Sequence, residues 1–153
     1  AKHNRVVTWL HGQEKKTGKQ FYVFNTHFDH QGVVARRESA RLLKKKITEI
    51  AGNKPTVVLG DFNAEITQEP LVILTDASVK PVLRDSKILS ETPHFGPNGT
   101  FTGFKEAEVT NEAIDHILVT SDWKVWKHAT FSHTWHGRFA SDHFAVYAEI
   151  WPN

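Results

Sequence analysis

Cysteine and methionine are both absent from the 153 residues of this chain. Without thiols there is no disulfide and no thiolate metal site, and the lack fits cytoplasm and periplasm equally. Long apolar runs are missing too. No stretch reaches the roughly 18 residues a membrane-spanning helix needs, and no signal-peptide pattern is visible. Excess charge of one sign is small: a net charge of +2 with a pI near 8.9 does not by itself argue for a nucleic-acid partner. Internal repeats and low-complexity tracts are not evident. What is there is a chain of ordinary domain size, 39% hydrophobic with 10 Phe and 5 Trp. It is long enough to bury a core, and its aromatics suit a sheet face that expects a partner layer.

The runs Arg5–Leu10 and Gln20–Phe24 are β-rich and flank a polar, glycine-containing turn, which predicts a hairpin. From Val33 to Ala51 the period lengthens. Ala35, Ser39, Leu42, Leu43, Ile47 and Ile50 follow helical spacing, Gly52-Asn53 ends the segment, and Pro55 prevents its continuation. A buried-looking strand follows at Thr56–Leu59. A short helix is predicted over Gln68–Ala77, with Thr67 as cap and Pro70 in its first turn. Ser86–Gly103 has Pro and Gly clusters and no period, and reads as a long loop. Strands are expected over Ala113–Thr120, Trp123–Phe131 and His143–Ile150, giving an α/β sandwich with mixed or antiparallel sheets.

Four short motifs stand at the ends of these runs: Asn25-Thr26-His27-Phe28-Asp29-His30, Gly60-Asp61-Phe62-Asn63-Ala64, Ile114-Asp115-His116-Ile117 and Ser141-Asp142-His143-Phe144. A carboxylate or imidazole just past a buried strand lands at the rim of a sheet, where a rigid scaffold holds it near others from distant parts of the chain. That pattern points to metal-assisted hydrolysis. Asp61 and Asn63 are two apart and share a face if extended. A carboxylate there can orient or deprotonate water while an amide donates to a phosphoryl oxygen. A Gly-Asp-Phe-Asn turn bonded only to its own backbone is the plainer alternative. His30 and His116 lie close enough to the motifs to suggest zinc. However, no helical His-Glu-X-X-His string is present, and oxygen-rich ligands favour Mg²⁺ or Mn²⁺.

Together with Gly99-Thr100-Phe101-Thr102-Gly103-Phe104, these motifs resemble the endonuclease/exonuclease/phosphatase superfamily, the DNase I-like metal-dependent phosphodiesterases, from about Val6 to Ile150. The resemblance is nearest to the bacterial metal-dependent hydrolases, in which the histidine motif is followed by a basic helix such as Arg36-Arg37-Glu38-Ser39-Ala40. It implies a four-layer α/β/β/α sandwich of which residues 1–153 supply about half. Members are usually about twice this length, and their first half carries an Asn and a metal-binding Glu. With no Met at its start, the chain reads as the C-terminal portion of one such domain. The resemblance gives His27 the scissile phosphate and makes Asp61 and Asn63 catalytic, with Asp61 also touching metal and Asn63 substrate. It assigns Asp142 to the Mg²⁺ shell, His143 to acid/base work and Asp115 to orienting His143.

His136 and Arg138 lie just ahead of the Asp142 motif and are expected to contact substrate, with His30 and His116 left to structural support. The basic helix Arg36, Arg37, Arg41, Lys44, Lys45 and Lys46 is interleaved with Glu38 and Glu49 and reads as a solvated face. Trp123, Trp126 and Trp135 could stack bases, but Trp123 and Trp126 are three apart in a β-like run, so at least one belongs to a core. The expected activity is divalent-metal-dependent hydrolysis of a phosphoester, foremost a phosphodiester as in nucleases and possible nucleic-acid substrates. Two alternatives stand beside it: a phospholipid headgroup, sugar phosphate or small metabolite as substrate, and a catalytically silent fragment or binding domain.

Overall fold

The computed structural model describes residues 4–153. Runs rich in β-branched and aromatic residues build its first two strands, β1 (Val7–Gln13) and β2 (Gln20–His27), which pair antiparallel with Val7 opposite Thr26 and Gln13 opposite Gln20. Tyr22, Phe24 and Thr26 of β2 turn to the interior. The chain returns through helix α1 (Val33–Ala51), and β3 (Thr56–Asp61) then lies parallel to β2. After helix α2 (Glu69–Thr75) come β4 (Arg84–Asp85), the single turn α3 (Ser86–Leu89) and β5 (Asp115–Val119). The resulting sheet has the order β1-β2-β3-β5-β4. A second sheet pairs β6 (Trp123–Phe131) with β9 (Ala145–Pro152), and a small hairpin, β7 (Thr134–Trp135) and β8 (Arg138–Phe139), stands between them in sequence.

The central strands have no polar face because both of their faces are covered. On one side Phe24, Val58, Phe62 and Leu118 pack under Ala40, Leu43 and Ile47 of α1 and Leu71 and Leu74 of α2. On the other, Val57 and Val119 meet Val125 of the second sheet, with Val23, Leu59, Ile117, Trp123 and Ile150 around them. Helices, sheet and sheet are stacked in an α/β sandwich of the expected class. No described helix is long and apolar enough to cross a membrane.

Several local expectations change. The buried stripe of α1 is Ala40, Leu43, Lys44, Ile47 and Ala51, while Leu42 is 58% exposed and faces β1 across a groove. Lys44 leaves the solvated face altogether. Its ammonium donates to the carbonyls of Leu74 (2.6 Å) and Asp76 (3.3 Å), satisfying the end of α2. Of the remaining charges of α1, Glu38 pairs at the surface with Arg37 and Arg41 and Glu49 with Lys45 and Lys46, while Arg36 donates to the Asp29 carbonyl at 2.9 Å. Gln68, not Thr67, precedes α2, and it makes no side-chain cap because Pro in the first turn sets the helical φ unaided. The predicted loop at Ser86–Gly103 opens with α3, a turn too short to show a period and fixed by the Asp85 carboxylate accepting from Lys87 N–H at 2.8 Å. In β6 a bulge between Val125 and Lys127 leaves Trp126 exposed beneath the Lys127 ammonium, while Trp123 packs edge-on against Phe21.

Candidate active site

Strand register puts the motifs in line. His27 at the end of β2 lies opposite Asp61 at the end of β3, and Asp61 lies opposite Asp115 at the start of β5. Directly opposed residues share a face, so three functional side chains stand in a row across the sheet rim. His143 joins them from the other sheet, just ahead of β9, where it bridges to Phe101. His27, Asp61 and His143 line an open cleft of ≈ 380 Å³ together with Arg5, His30, Asn63, Phe101, Ile114 and Asp142, and Asp115 stands behind His143.

Asp61 is the hub. Its Oδ2 lies 3.3 Å from His27 Nε2 and 3.8 Å from His143 Nε2, while its Oδ1 accepts the Asn63 N–H at 2.7 Å. Burial pushes this carboxyl above the ordinary range and the nearby Asp115 charge adds to that, against the Asn63 N–H and the two histidines. His143 donates or accepts at Nδ1 with Asp115 Oδ2, 2.8 Å away. Burial is the largest single influence on His143 and pulls its pKa down. The Asp115 bond and the charges of Asp115, Asp61 and Asp142 outweigh burial, so the imidazole is raised above its usual value. A histidine held between two carboxylates is an acid poised to give up a proton.

Past Asp61 the chain is not extended, as the sequence reading had it. Asn63 turns left-handed with φ 47°, and its amide nitrogen donates to Phe28 O and to Asp61 Oδ2, both at 3.1 Å. Both amide hydrogens are thereby used, so Asn63 steadies Asp61 and reaches an incoming oxygen only by giving up a bond. The local-turn alternative is thus partly realised, yet Asp61 Oδ2 still faces the cleft histidines.

Thr100 and Thr102 belong to a motif that carried the resemblance but were given no role by sequence, and both hold parts of the site in place. Thr100 Oγ1 donates to Asp115 Oδ2 at 2.6 Å and accepts the N–H groups of Ile114 and Asp115. Thr102 holds the carbonyl of Asp142 through its N–H (2.7 Å) and its hydroxyl (3.0 Å). The Phe101 ring between them lies edge-on to His143, centroids 5.2 Å apart. His116 is buried away from the cleft. His136 and Arg138 sit on the exposed β7–β8 hairpin, which turns tightly through His136 and Gly137 at positive φ, and neither is among the residues lining the cleft.

Asp61, Asp115 and His143 offer ligand atoms within 4.8 Å of one another. Within this group His143 already has Asp115 at Nδ1 and Asp61 Oδ2 3.8 Å from its Nε2. Asp142 is not part of that group, but its side chain lines the same cleft as Asp61, and carboxylate oxygens are the donors a hard dication prefers.

A rim of aspartate and histidine between two packed sheets with helices on the flank therefore matches a recognised class. The model described as "Endonuclease/Exonuclease/phosphatase family" matches residues 3–143, and the chain belongs to that family. Among solved structures it is similar to an endonuclease/exonuclease/phosphatase from Bacteroides vulgatus, with 34% identity and a TM-score of 0.86 over 97% of this chain and 56% of that one. A mannosyl-6-phosphatase of Bacteroides thetaiotaomicron matches at 34% identity and TM-score 0.81, over 95% of this chain and 57% of that one. The human nocturnin catalytic domain shares the fold at 22% identity and TM-score 0.74, over 99% of this chain and 54% of that one. The chain thus spans about half the length of the solved structures it matches. No curated protein matches it.

Proposed function

We propose that this chain carries the acid–base and metal-facing portion of a divalent-metal-dependent phosphoesterase that hydrolyses a phosphodiester by in-line attack of water. The observation that carries the reading is the His27–Asp61–Asp115 row with His143 wedged between the two carboxylates. Asp61 Oδ2 orients and deprotonates water, helped by its raised proton affinity. His143, charged and aligned by Asp115, gives its proton toward the departing oxygen or steadies the charge growing there. His27, with its side chain 55% exposed at the cleft, hydrogen-bonds the phosphate. Asp142 and Asp61 would hold Mg²⁺, or Mn²⁺ in its place. Bound there, the ion polarises the phosphoryl oxygens and offsets developing charge. His136 and Arg138 on the β7–β8 hairpin meet the part of the substrate that extends beyond the scissile bond.

A second reading, a phosphatase acting on a sugar phosphate, is favoured by the 34% identity to a mannosyl-6-phosphatase. The two separate in the protein at its natural length by comparing kcat/KM on bis(p-nitrophenyl) phosphate, an oligonucleotide and mannose 6-phosphate. Preference for the diesters supports the first reading, and preference for the sugar monoester replaces it with the second. Metal titration then separates the carboxylates: Asp142→Asn raises the Mg²⁺ concentration needed, whereas Asp115→Asn lowers the rate without shifting that requirement. The reverse outcome exchanges their roles.

A further inference from the structure

Behind the cleft, on the opposite face of β5, lies a second aspartate–histidine pair that the proposed chemistry does not use. Successive residues of a strand point to opposite faces, so Asp115 reaches His143 at the cleft and His116 looks inward, where it is only 5% exposed. His116 Nδ1 is 3.0 Å from Asp85 Oδ2, and its Nε2 is 3.0 Å from the backbone oxygen of Ala64. A carbonyl oxygen only accepts, so Nε2 carries a proton and donates it. The same imidazole therefore ties three segments together: the start of α3 through Asp85, β5 through its own backbone, and the turn that begins at Asp61 through Ala64.

That turn needs holding. Asn63 occupies the left-handed region at φ 47°, which Asn tolerates better than most residues but does not by itself select, so its neighbours decide whether the turn stays closed. The near end is fixed by Phe28 N–H to Asp61 O (2.8 Å), Phe62 N–H to Ile114 O (2.9 Å) and Asn63 N–H to Asp61 Oδ1 (2.7 Å). Beyond Asn63, the carbonyl of Ala64 is taken by His116. Burying two hydrogen-bonded polar side chains stabilises little more than apolar packing of like volume. What this pair supplies is geometry.

We propose that His116 and Asp85 are a positioning pair. By fixing Ala64 they lock Asn63 in its left-handed conformation and so aim Asp61 Oδ2 at His27 and His143. This deepens the hydrolase reading of the cleft and rests on it.

Two isopolar variants isolate the Ala64 contact. His116→Gln keeps a donor where Nε2 stands, whereas His116→Asn keeps a donor toward Asp85 and loses the reach to Ala64. In the natural-length protein, amide exchange at Asn63 and Ala64 is expected to speed at least tenfold in His116→Asn, with mid-strand amides of β3 and β5 unchanged, and to stay within about threefold of wild type in His116→Gln. Turnover should follow the same split, kcat falling about tenfold in His116→Asn with KM nearly constant and recovering in His116→Gln. The pair is merely structural, and the proposal overturned, if both variants behave alike or if exchange accelerates across β3 and β5 together. Should no phosphoester be turned over at all, the hydrolase reading fails while the exchange measurement still decides the positioning.

Discussion

Asp61 is held by Asn63 at both oxygens, Oδ1 by the Asn63 N–H and Oδ2 by its side-chain amide, while Oδ2 also faces the two cleft histidines. Asp115 works through a single oxygen, which takes the Thr100 hydroxyl and His143 together. The charge of His143 therefore depends on Asp115. With Asp115→Asn, burial still lowers the imidazole pKa and only Asp61 and Asp142 oppose it, so the pKa falls. If His143 must be protonated to act, the alkaline limb of the kcat/KM profile moves to lower pH, and a limb that stays in place shows that Asp115 does not set this charge. His27, Asp61, Asp115 and His143 could be picked out in sequence because each stands at or beside one end of a recognisable strand, His27 and Asp61 closing theirs, Asp115 opening its own and His143 just ahead of one. The roles of Thr100 and Thr102 could not, since their jobs are hydrogen bonds to Asp115 and to the Asp142 carbonyl, 15 and 40 positions away. Chain proximity and period carry no trace of such a contact.

Among the elements, the parallel contact of β2 and β3 depends on Gly60. It sits opposite Thr26 at φ 140°, and a Cβ there would lie 1.8 Å from the Thr26 carbonyl oxygen. Gly60→Ala should cost at least about 3 kcal/mol, combining a disfavoured backbone with a backbone clash. Gly52→Ala at the end of α1, with φ 60° and open space around it, should cost about 1 kcal/mol. Urea midpoints compare the two, and equal losses would show that β2 and β3 separate easily. The ends of α1 and the existence of β1, β2, β3, β5, β6 and β9 could be read from period and punctuation. The rotation of α1 could not, because Leu42 and Lys44 exchange the faces their polarity suggests once α2 presents bare carbonyls to Lys44. Nor could α3 or the β7–β8 hairpin, each too short to establish a period.

At the scale of the molecule, β1 is an edge strand with Val7, Trp9 and Leu10 at 39%, 51% and 52% exposure. Unpaired edges with apolar side chains invite association. The isolated chain is expected to self-associate in sedimentation velocity, and Leu10→Lys to reduce this without moving the unfolding midpoint. A monodisperse wild-type chain would contradict it. Acid sensitivity has a source in His128, whose Nδ1 lies 2.9 Å from that of His94. Burial lowers His128 from 6.5 to about 4. The folded chain then binds this proton less readily than the unfolded chain, so stability is intact above the ordinary value and is lost as pH falls from 6.5 toward 4, by up to about 3 kcal/mol. Urea unfolding at both ends of that window should show a smaller loss in His128→Gln, and an equal loss would assign the effect elsewhere. The central claim is metal-dependent hydrolysis at the sheet rim. Its most direct test is turnover of bis(p-nitrophenyl) phosphate by the natural-length protein against Mg²⁺ concentration and chelator, for wild type, Asp61→Ala and His143→Ala. The expected result is turnover only with Mg²⁺ or Mn²⁺, lost in chelator, and lower by about 10²-fold or more in each variant while the fold persists. Turnover that survives chelation, or that both variants retain, would contradict it.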